Sequence, residues 1–268
     1  MPLTLSIVTP SFNQAPFLEQ AIDSVLGQKY APLEYVIMDG GSTDGSVEII
    51  RRREAALTSW TSAPDGGHYA AVNAGFARTS GEIMAWLNAD DQYLPWTFSV
   101  VAEVFEQFPE VEWVTTRWPL RWDKRGRAVR CAARPGYAPE AFLRGAYLPG
   151  EGRDVIQQES TFWRRSLWQS AGGKLDTGYP LGGDFELWAR FFQNTELYAI
   201  DTPLGGFRVH GEQRSALQRE QYDSDVRRAL AFHGGREPSA LDRLRRSPAK
   251  IVRFNKNTDA WVIETVEV

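Results

Sequence analysis

Short apolar runs recur along the first 115 residues, and the first four each end in a polar cluster. Leu3 to Thr9 (LTLSIVT) is β-branched and apolar and stops at Pro10, which has no N–H to donate, so it predicts a strand ending there. Phe17, Ala21, Ile22, Val25 and Leu26 follow at three- and four-residue spacing, one face of a helix with Gly27 as its C-cap. The pattern then repeats. Leu33 to Met38 predicts a second strand, and Val47, Ile50, Arg51 and Glu54 a second helix. Trp60 to Ala63 is a weaker strand, His68 to Arg78 a helix and Ile83 to Leu87 a strand. A helix opened by Pro95 carries Val100, Val101, Val104, Phe105 and Phe108 on one face, and Val111 to Thr115 closes the series. Strands alternating with helices of this length predict an α/β fold, a mostly parallel sheet covered on both faces. Ligands of such sheets bind outside the carboxyl ends of the strands. Those ends carry Thr9-Pro10-Ser11-Phe12-Asn13, Asp39-Gly40-Gly41-Ser42-Thr43-Asp44, Pro64-Asp65-Gly66-Gly67 and Asn88-Ala89-Asp90-Asp91.

Composition excludes other classes. With 43% hydrophobic and 24% charged residues over 268, the chain is neither collagen-like, disordered nor a coiled coil. Cys131 is the sole cysteine, which excludes an internal disulfide and a Cys-rich zinc site. No apolar run approaches 18 residues, and MPLTLSIVTPSF has no cationic start or signal-like core, so the expected location is the cytoplasm. The net charge of −4 is unevenly spread: Arg208 to Lys256 holds 12 Lys/Arg against 6 Asp/Glu. Either this tail meets an anionic partner, such as a phospholipid surface or a phosphorylated acceptor, or it is a solvated helix face.

Beyond Thr116 the alternation stops. Arg117 to Arg134 carries seven Lys/Arg and one acid, Asp123, with Trp118 and Trp122 interleaved, and Asp123 to Gly126 reads as a hairpin turn. Without zinc-finger spacing, a recognition helix or an overall basic charge, this stretch does not indicate nucleic acid. Phe185, Trp188 and Phe192 form a helical stripe, and Gln213 to His233 a polar helix with Leu217 and Leu230 as core contacts.

Asp90 and Asp91 are the strongest chemical signal. Neighbouring carboxylates repel by roughly 4 kcal/mol at about 4 Å and an effective dielectric near 20. Oxygen ligands of this kind suit Mg²⁺ or Mn²⁺ shared with substrate phosphates, or the pair simply leads into the Pro95 helix as turn residues; the residues alone leave both open. Asp39 can accept from ring or ribose donors while Gly40 and Gly41 let a ligand approach the backbone, and Ser42 and Asp44 can cap the next helix. Neither GxGxxG nor GxxxxGK[ST] occurs.

Taken together, SIVTPSFNQ, EYVIMDGGSTDGS, SAPDGGHYAAVNAGFARTSGEI, MAWLNADD and GGDFELWAR resemble, in order, the motifs of family 2 glycosyltransferases of the GT-A type, the group of bacterial polysaccharide and O-antigen transferases. The resemblance spans residues 5 to about 190. It implies a GT-A, Rossmann-like sheet flanked by helices, with a C-terminal helical extension. It further implies a nucleotide-sugar-binding half over 1–115, an acceptor-binding and catalytic half over 116–207, and a basic extension over 208–268. On this likeness Thr9, Pro10 and Ser11 line the nucleotide site, and Asp39 accepts from the base, the N3–H of a pyrimidine. Asp65 and Asn73 lie near base, ribose or sugar. Asn88-Ala89-Asp90 occupies the Asp-x-Asp position, with Asp90 the metal ligand. Asn88 replaces the first acid and can bind a ribose hydroxyl without adding charge, with Asp91 as a compensating group. Asp184 matches the catalytic base, kept ionised by its place at a helix start, and Gly183 stands where the family often has a second acid. Arg208 and His210 match a late basic motif beside the diphosphate, His210 completing the metal shell and Arg208 pairing with phosphate. His68 and His233 are expected to be surface or packing residues, whereas Trp118, Trp122, Trp163 and Trp168 fall in the half facing the acceptor.

The function this implies is inverting, Mg²⁺- or Mn²⁺-dependent transfer of a sugar from a nucleotide-diphosphate donor, UDP- or dTDP-linked. The acceptor is a glycan or a polyprenyl-linked glycan in cell-surface polysaccharide synthesis, with peripheral contact at the inner face of the membrane. Two alternatives compete. Asn88 and Gly183 would suit a nucleotide-sugar-binding module without transfer activity, although such a module has no reason to keep both Asp90 and Asp184. A nucleotidyltransferase would need a Gly-rich basic loop after the first strand, which Thr9 to Gln14 lacks.

Overall fold

The computed structural model describes residues 2–151 and 155–268. In the first half the elements fall close to where the hydrophobic periods place them, with one short strand, β5, that they did not mark: β1 (Leu5–Ser11), α1 (Ala15–Leu26), β2 (Leu33–Asp39), α2 (Ser46–Arg53), β3 (Ser59–Ser62), α3 (His68–Phe76), β4 (Ile83–Trp86), β5 (Gln92–Tyr93), α4 (Thr97–Gln107) and β6 (Trp113–Thr116). Alternate residues of one strand face opposite sides of the sheet. Leu5, Ile7, Tyr35, Ile37, Ile83 and Ala85 therefore pack with the apolar faces of α1, α2 and α4. Val8, Val36, Met38, Met84 and Trp86 pack on the other side, with α3 and with helices from the second half.

One expectation needs correcting here. β1 does not stop at Pro10 but runs through it to Ser11. The Val8 carbonyl accepts from Leu87 on the β4 side, and Pro10 faces that same side beyond the last β4 partner, so its missing N–H removes no ladder bond. Gly27 is the C-cap of α1 as expected, in the right-handed region with φ −64°. A Cβ there would lie 2.6 Å from the Asp23 carbonyl oxygen, and this close approach is what requires glycine.

The second half continues through β7 (Leu120–Trp122), β8 (Ala128–Cys131), α5 (Pro139–Leu143), β9 (Phe162–Arg164), α6 (Arg165–Ser170), α7 (Gly183–Phe192), β10 (Tyr198–Ile200), β11 (Gly205–Arg208), α8 (Arg214–Leu217), α9 (Arg219–Phe232), β12 (Pro248–Asn255) and β13 (Ala260–Glu267). β7 and β8 form the expected hairpin, its turn organised by Asp123 Oδ1, which accepts the N–H groups of Arg125 and Arg127. The single polar helix expected over Gln213 to His233 is broken at Gln218 (φ −119°, ψ 46°) into α8 and α9. Leu230 is buried as expected, but Leu217 is 70% exposed, because the break turns α8 away from the core. Nor is the segment 208–268 a purely helical appendage. β12 joins β10 in parallel and pairs with β13, so the basic tail completes one edge of the main sheet.

That sheet has nine strands in the order β13-β12-β10-β6-β9-β4-β1-β2-β3, and a second has the order β5-β11-β7-β8. From β1 the chain passes to β2 and β3 on one side and to β4 on the other, so the strand order reverses between β1 and β4, the place where such sheets bind ligands. β9 runs antiparallel to β4 and β6, which brings the residues before Phe162 to the carboxyl end of β4. Pairing of β5 with β11 then lays Arg208 and His210 across the turn that follows β4. Among the described residues no helix is long and apolar enough to cross a membrane.

Candidate active site

Polar side chains from six segments line the strand ends. At the β2 end, Asp39 is 1% exposed and its carboxylate accepts four hydrogen bonds. The Gly41 and Ser42 N–H groups (3.1 and 2.9 Å) and the Ser62 hydroxyl (2.6 Å) reach Oδ2, and the Ser42 hydroxyl (2.6 Å) reaches Oδ1. Oδ2 is fully engaged, while Oδ1 accepts a single serine hydroxyl, so a base N–H reaches Asp39 through Oδ1. Asp44 organises the same loop, accepting from Ser46 and from the Ala15 N–H, and these bonds hold its pKa below the ordinary carboxylate range against its partial burial. Asp65 accepts from the Gly67 N–H at 2.8 Å, and its other oxygen lies against Gly40, where a Cβ would come within 3.2 Å of both Asp65 and the exposed ring of Phe12.

Three residues assigned to the nucleotide site on the resemblance have other uses for their side chains. The Thr9 hydroxyl is buried and bonded to the Tyr35 hydroxyl at 3.0 Å, because position 9 falls on the same sheet face as Ile7. Pro10 is buried within β1. Asn73 spends both ends of its amide on the Leu175 backbone (2.9 and 2.8 Å), tying α3 to the segment that leads into α7. Ser11, by contrast, has a buried hydroxyl without a partner.

At the β4 end, the Asp90 Oδ2 lies 3.0 Å from His210 Nε2, and the His210 side chain is 1% exposed. The Phe17 ring packs on the imidazole with centroids 4.5 Å apart and under the Arg208 guanidinium at 5.2 Å. Arg208 is fully buried; its Nε donates to the Asp90 carbonyl, its Nη1 to the Lys124 carbonyl at 3.3 Å, and its Nη2 has no partner. Burial pulls this guanidinium down from its ordinary pKa, with Asp91 and Asp90 pulling it back up. Gln213 grips the turn, its amide donating to the Arg208 carbonyl while its oxygen accepts from the Gly211 N–H at 2.9 Å.

Asp91 is not a compensating ligand for the missing acid at position 88. It is fully buried, with one oxygen accepting from the Arg208 N–H at 2.8 Å and the other from the Asn88 amide at 3.0 Å. Asn88 therefore points its donor at Asp91, which leaves its own oxygen buried and unpaired. No group of three or more His, Cys, Asp or Glu side chains able to hold a metal occurs among the described residues. Asp90 and His210 nevertheless offer one oxygen and one nitrogen donor side by side, and so few protein ligands suit a divalent cation that takes the rest of its shell from phosphate oxygens.

Asp184 lies in the first turn of α7 and lines a small cleft with Phe142, Tyr147, Ile156, Phe185 and Tyr222. Its Oδ1 takes a 2.8 Å bond from the Phe185 N–H and a long 3.4 Å contact from the Tyr69 hydroxyl. The helix dipole does not set its charge as expected: burial outweighs these bonds and raises the carboxyl to about 6. Gly183 has no room for a second acid, since a Cβ there would lie 2.7 Å from the Tyr69 ring. Asp225 of α9 holds the entry to α7 by accepting from the Leu181 N–H at 2.9 Å. Glu186 faces away, buried against Arg190 and His233. His68 is half-buried, its imidazole pushed down to about 4 by burial and by Arg214.

The sequence reading missed Glu159, in the 3₁₀ turn Gln158–Ser160 that β9 brings to this edge. It is 3% exposed and raised to about 8, chiefly by burial and then by Asp90 and Asp184. A signal existed in the unbroken polar run Gln157 to Thr161 between the apolar Ile156 and Phe162. Of the aromatics expected to face the acceptor, Trp163 is fully buried and Trp168 nearly so, packed against each other in the core. Trp118 donates to Asp201 at 2.7 Å.

Comparison with known proteins bears on the family and the fold. The family described as Glycosyl transferase family 2 matches residues 6–171. Over 261 residues the chain is 28% identical to an uncharacterized glycosyltransferase of Mycobacterium tuberculosis, covering 95% of each protein. It is 36% identical to an uncharacterized glycosyltransferase of Nostoc over 113 residues, 39% of this chain and 33% of that one. Among solved structures, S. aureus TarS 1–349 in complex with UDP superposes with a TM-score of 0.60 at 15% identity, over 86% of this chain and 65% of that chain. The mannosyltransferase PcManGT from Pyrobaculum calidifontis, in complex with GDP-Man and Mn²⁺, superposes with a TM-score of 0.58 at 20% identity, over 89% of this chain and 66% of the other. Motif order, sheet topology and these likenesses converge: the chain is a GT-A-fold α/β protein that belongs to glycosyl transferase family 2.

Proposed function

We propose that this protein is an inverting glycosyltransferase taking a UDP- or dTDP-linked sugar to a glycan or polyprenyl-linked glycan acceptor in cell-surface polysaccharide synthesis. The observation that carries the reading is a pair of unlike groups that both act electrostatically on Glu159: Asp90, paired with His210 and with Arg208 behind it, and Asp184 in a small cleft with an apolar lining. The nucleotide lies along the loops of Ser11, Asp39 and Asp65, and the diphosphate lies over Asp90 and His210. Asp90 and His210 would hold a divalent cation there, which would supply positive charge against the departing diphosphate. The free Nη2 of Arg208 adds a fixed positive charge behind the site.

Asp184 takes the proton of the acceptor hydroxyl as that oxygen bonds to the anomeric carbon. The bond from that carbon to the diphosphate breaks on the opposite face, its electron pair leaving with the phosphate, and the configuration inverts. A base raised to about 6 is ionised at neutral pH yet still basic enough to accept a proton, which suits the role. Residues 1–115 then act as the donor half and 116–207 as the acceptor half, and 208–268 supplies Arg208 and His210 besides its sheet edge. The basic hairpin and the α8–α9 surface face the acceptor, with peripheral contact at the cytoplasmic side of the membrane.

The test is nucleotide release from a panel of UDP-, dTDP- and GDP-sugars with Mn²⁺ and Mg²⁺, followed by the anomeric configuration of the product. Acceptor-dependent release from one donor class with inverted product is expected. Release with retained configuration would remove Asp184 as the base, and binding of nucleotide sugars with no release from any donor would favour a binding module.

A further inference from the structure

Between the diphosphate end and Asp184 lies one carboxyl that the mechanism above leaves unused. Glu159 sits on a segment in which each adjoining polar side chain is tied down. Gln157 clamps the Leu120 backbone with both ends of its amide (3.2 and 2.8 Å), and the Gln158 amide donates to the Trp86 carbonyl at 2.7 Å. The Ser160 hydroxyl accepts from the Gly205 N–H at 3.1 Å, and the Thr161 hydroxyl donates to the Gln157 carbonyl at 2.8 Å. Two side-chain oxygens of this segment, Gln158 Oε1 and Glu159 Oε1, are buried and unpaired, and of the two residues only Glu159 can also carry a proton to donate. Buried polar atoms are rarely left so, and an exception within the electrostatic reach of both Asp90 and Asp184 points to an atom that a ligand satisfies.

The groups around it define the chemistry of that ligand. Asp90 and Asp91 face Glu159 from the turn after β4, Tyr93 from β5, Tyr137 from ahead of α5, Asp184 from α7 and Tyr222 from α9; none of these is a cation. So enclosed, and pulled back only by its own N–H and by Gln157, the carboxyl stays protonated at neutral pH. A protonated carboxyl offers one donor and one acceptor, the complement of an alcohol. A ring of carboxyls also repels an anionic sugar.

We infer that Glu159 is a donor-sugar-recognising residue, its carboxyl holding a hydroxyl of the sugar in transfer between the diphosphate and Asp184 and selecting neutral sugars over uronic acids. The inference rests on the glycosyl-transfer reading, since only that reading puts a sugar ring in this gap.

The test uses the full chain with Glu159→Ala and Glu159→Gln. Affinities are measured for the panel of UDP-, dTDP- and GDP-hexoses, for the matching hexuronate and for the free nucleoside diphosphates. Glu159→Ala is expected to weaken the preferred nucleotide hexose about tenfold, the worth of one or two buried hydrogen bonds, with the free diphosphate unchanged. Glu159→Gln keeps a donor and an acceptor and should retain most of that affinity. Equal losses for hexose and free diphosphate, or no loss for either, would overturn the inference. Should Glu159→Ala fail to fold, the pH profile of Glu159→Gln decides: wild-type hexose affinity should fall above about pH 8 as the carboxyl loses its proton, and the Gln variant should stay flat. Superimposable profiles, or a wild type that binds the hexuronate as well as the hexose, would overturn it too. A wild type that binds neither diphosphates nor nucleotide sugars would instead remove the transferase reading itself.

Discussion

At the β2 end of the strand-end rim, Asp39 accepts four protein hydrogen bonds, and Asp44 and Asp65 accept from the loops beside them. At the β4 and α7 end, Asn88 Oδ1, Arg208 Nη2 and Glu159 Oε1 are buried without partners, and Asp184 and Glu159 have raised pKa values. Both ends are rich in carboxylates, and sequence alone makes them look alike. The first end uses its charge to build a rigid loop against which a flat nucleotide can lie. The second holds more polar capacity in reserve than the Ser11 hydroxyl left at the first, and reserve capacity is where phosphate, sugar and proton have to be met.

The contrast breaks first on the divalent cation. Excess chelator should lower transfer by several kcal/mol, about 10³-fold, with little change in melting temperature, because the fold rests on the saturated loops. Full activity in chelator would leave Asp90 and His210 as a purely structural pair. Next comes Asp39→Ala, which strands the Gly41 and Ser42 N–H groups; about 2 kcal/mol of stability should go, read in urea or thermal melts. A melt unchanged by this substitution would show that the loop does not depend on Asp39.

The pH response sharpens the difference further. Transfer should fall about tenfold per unit below pH 6, as Asp184 takes up the proton that disables it. Stability should move the other way. A carboxyl raised by burial stabilises fully below its ordinary value and loses that contribution as pH rises through its folded value. Asp184 and Glu159 therefore lower the melting temperature as pH rises through about 6 and then about 8, and Glu159→Gln should flatten the upper part. Activity and stability rising together across this window would contradict burial as the cause of both shifts. The smallest effect belongs to Asn73→Ala, which should cost about 1 kcal/mol by freeing the Leu175 segment, with nucleotide affinity unchanged.

What the sequence made legible follows from the range of the interactions involved. The strands and helices up to residue 116, β5 apart, are fixed by two- and four-residue periods, so they appear close to where the periods place them. The motif order marked the strand-end loops; Asp90, Arg208 and His210 meet in one turn, and Asp184 acts on the same Glu159 as Asp90. Thr9 shows the limit of motif reading: its place in the strand alternation puts it with Ile7 against the core, away from the ligand side that the motif suggested. Glu159 was hidden because its isolation depends on β9 running antiparallel between two parallel strands, a long-range pairing with no local period. The β12–β13 edge escaped notice for the same reason, being built against β10 some fifty residues earlier in the chain.

The central claim is that Asp184 supplies proton removal while the Asp90–His210 end holds the donor. It is tested most directly by the single-turnover rate of nucleotide release for Asp184→Asn, at saturating donor and acceptor, beside the affinity of the same variant for the donor. The account predicts a rate lower by about 10²- to 10⁴-fold with donor affinity held within about threefold of wild type. A variant that releases nucleotide at the wild-type rate would contradict it.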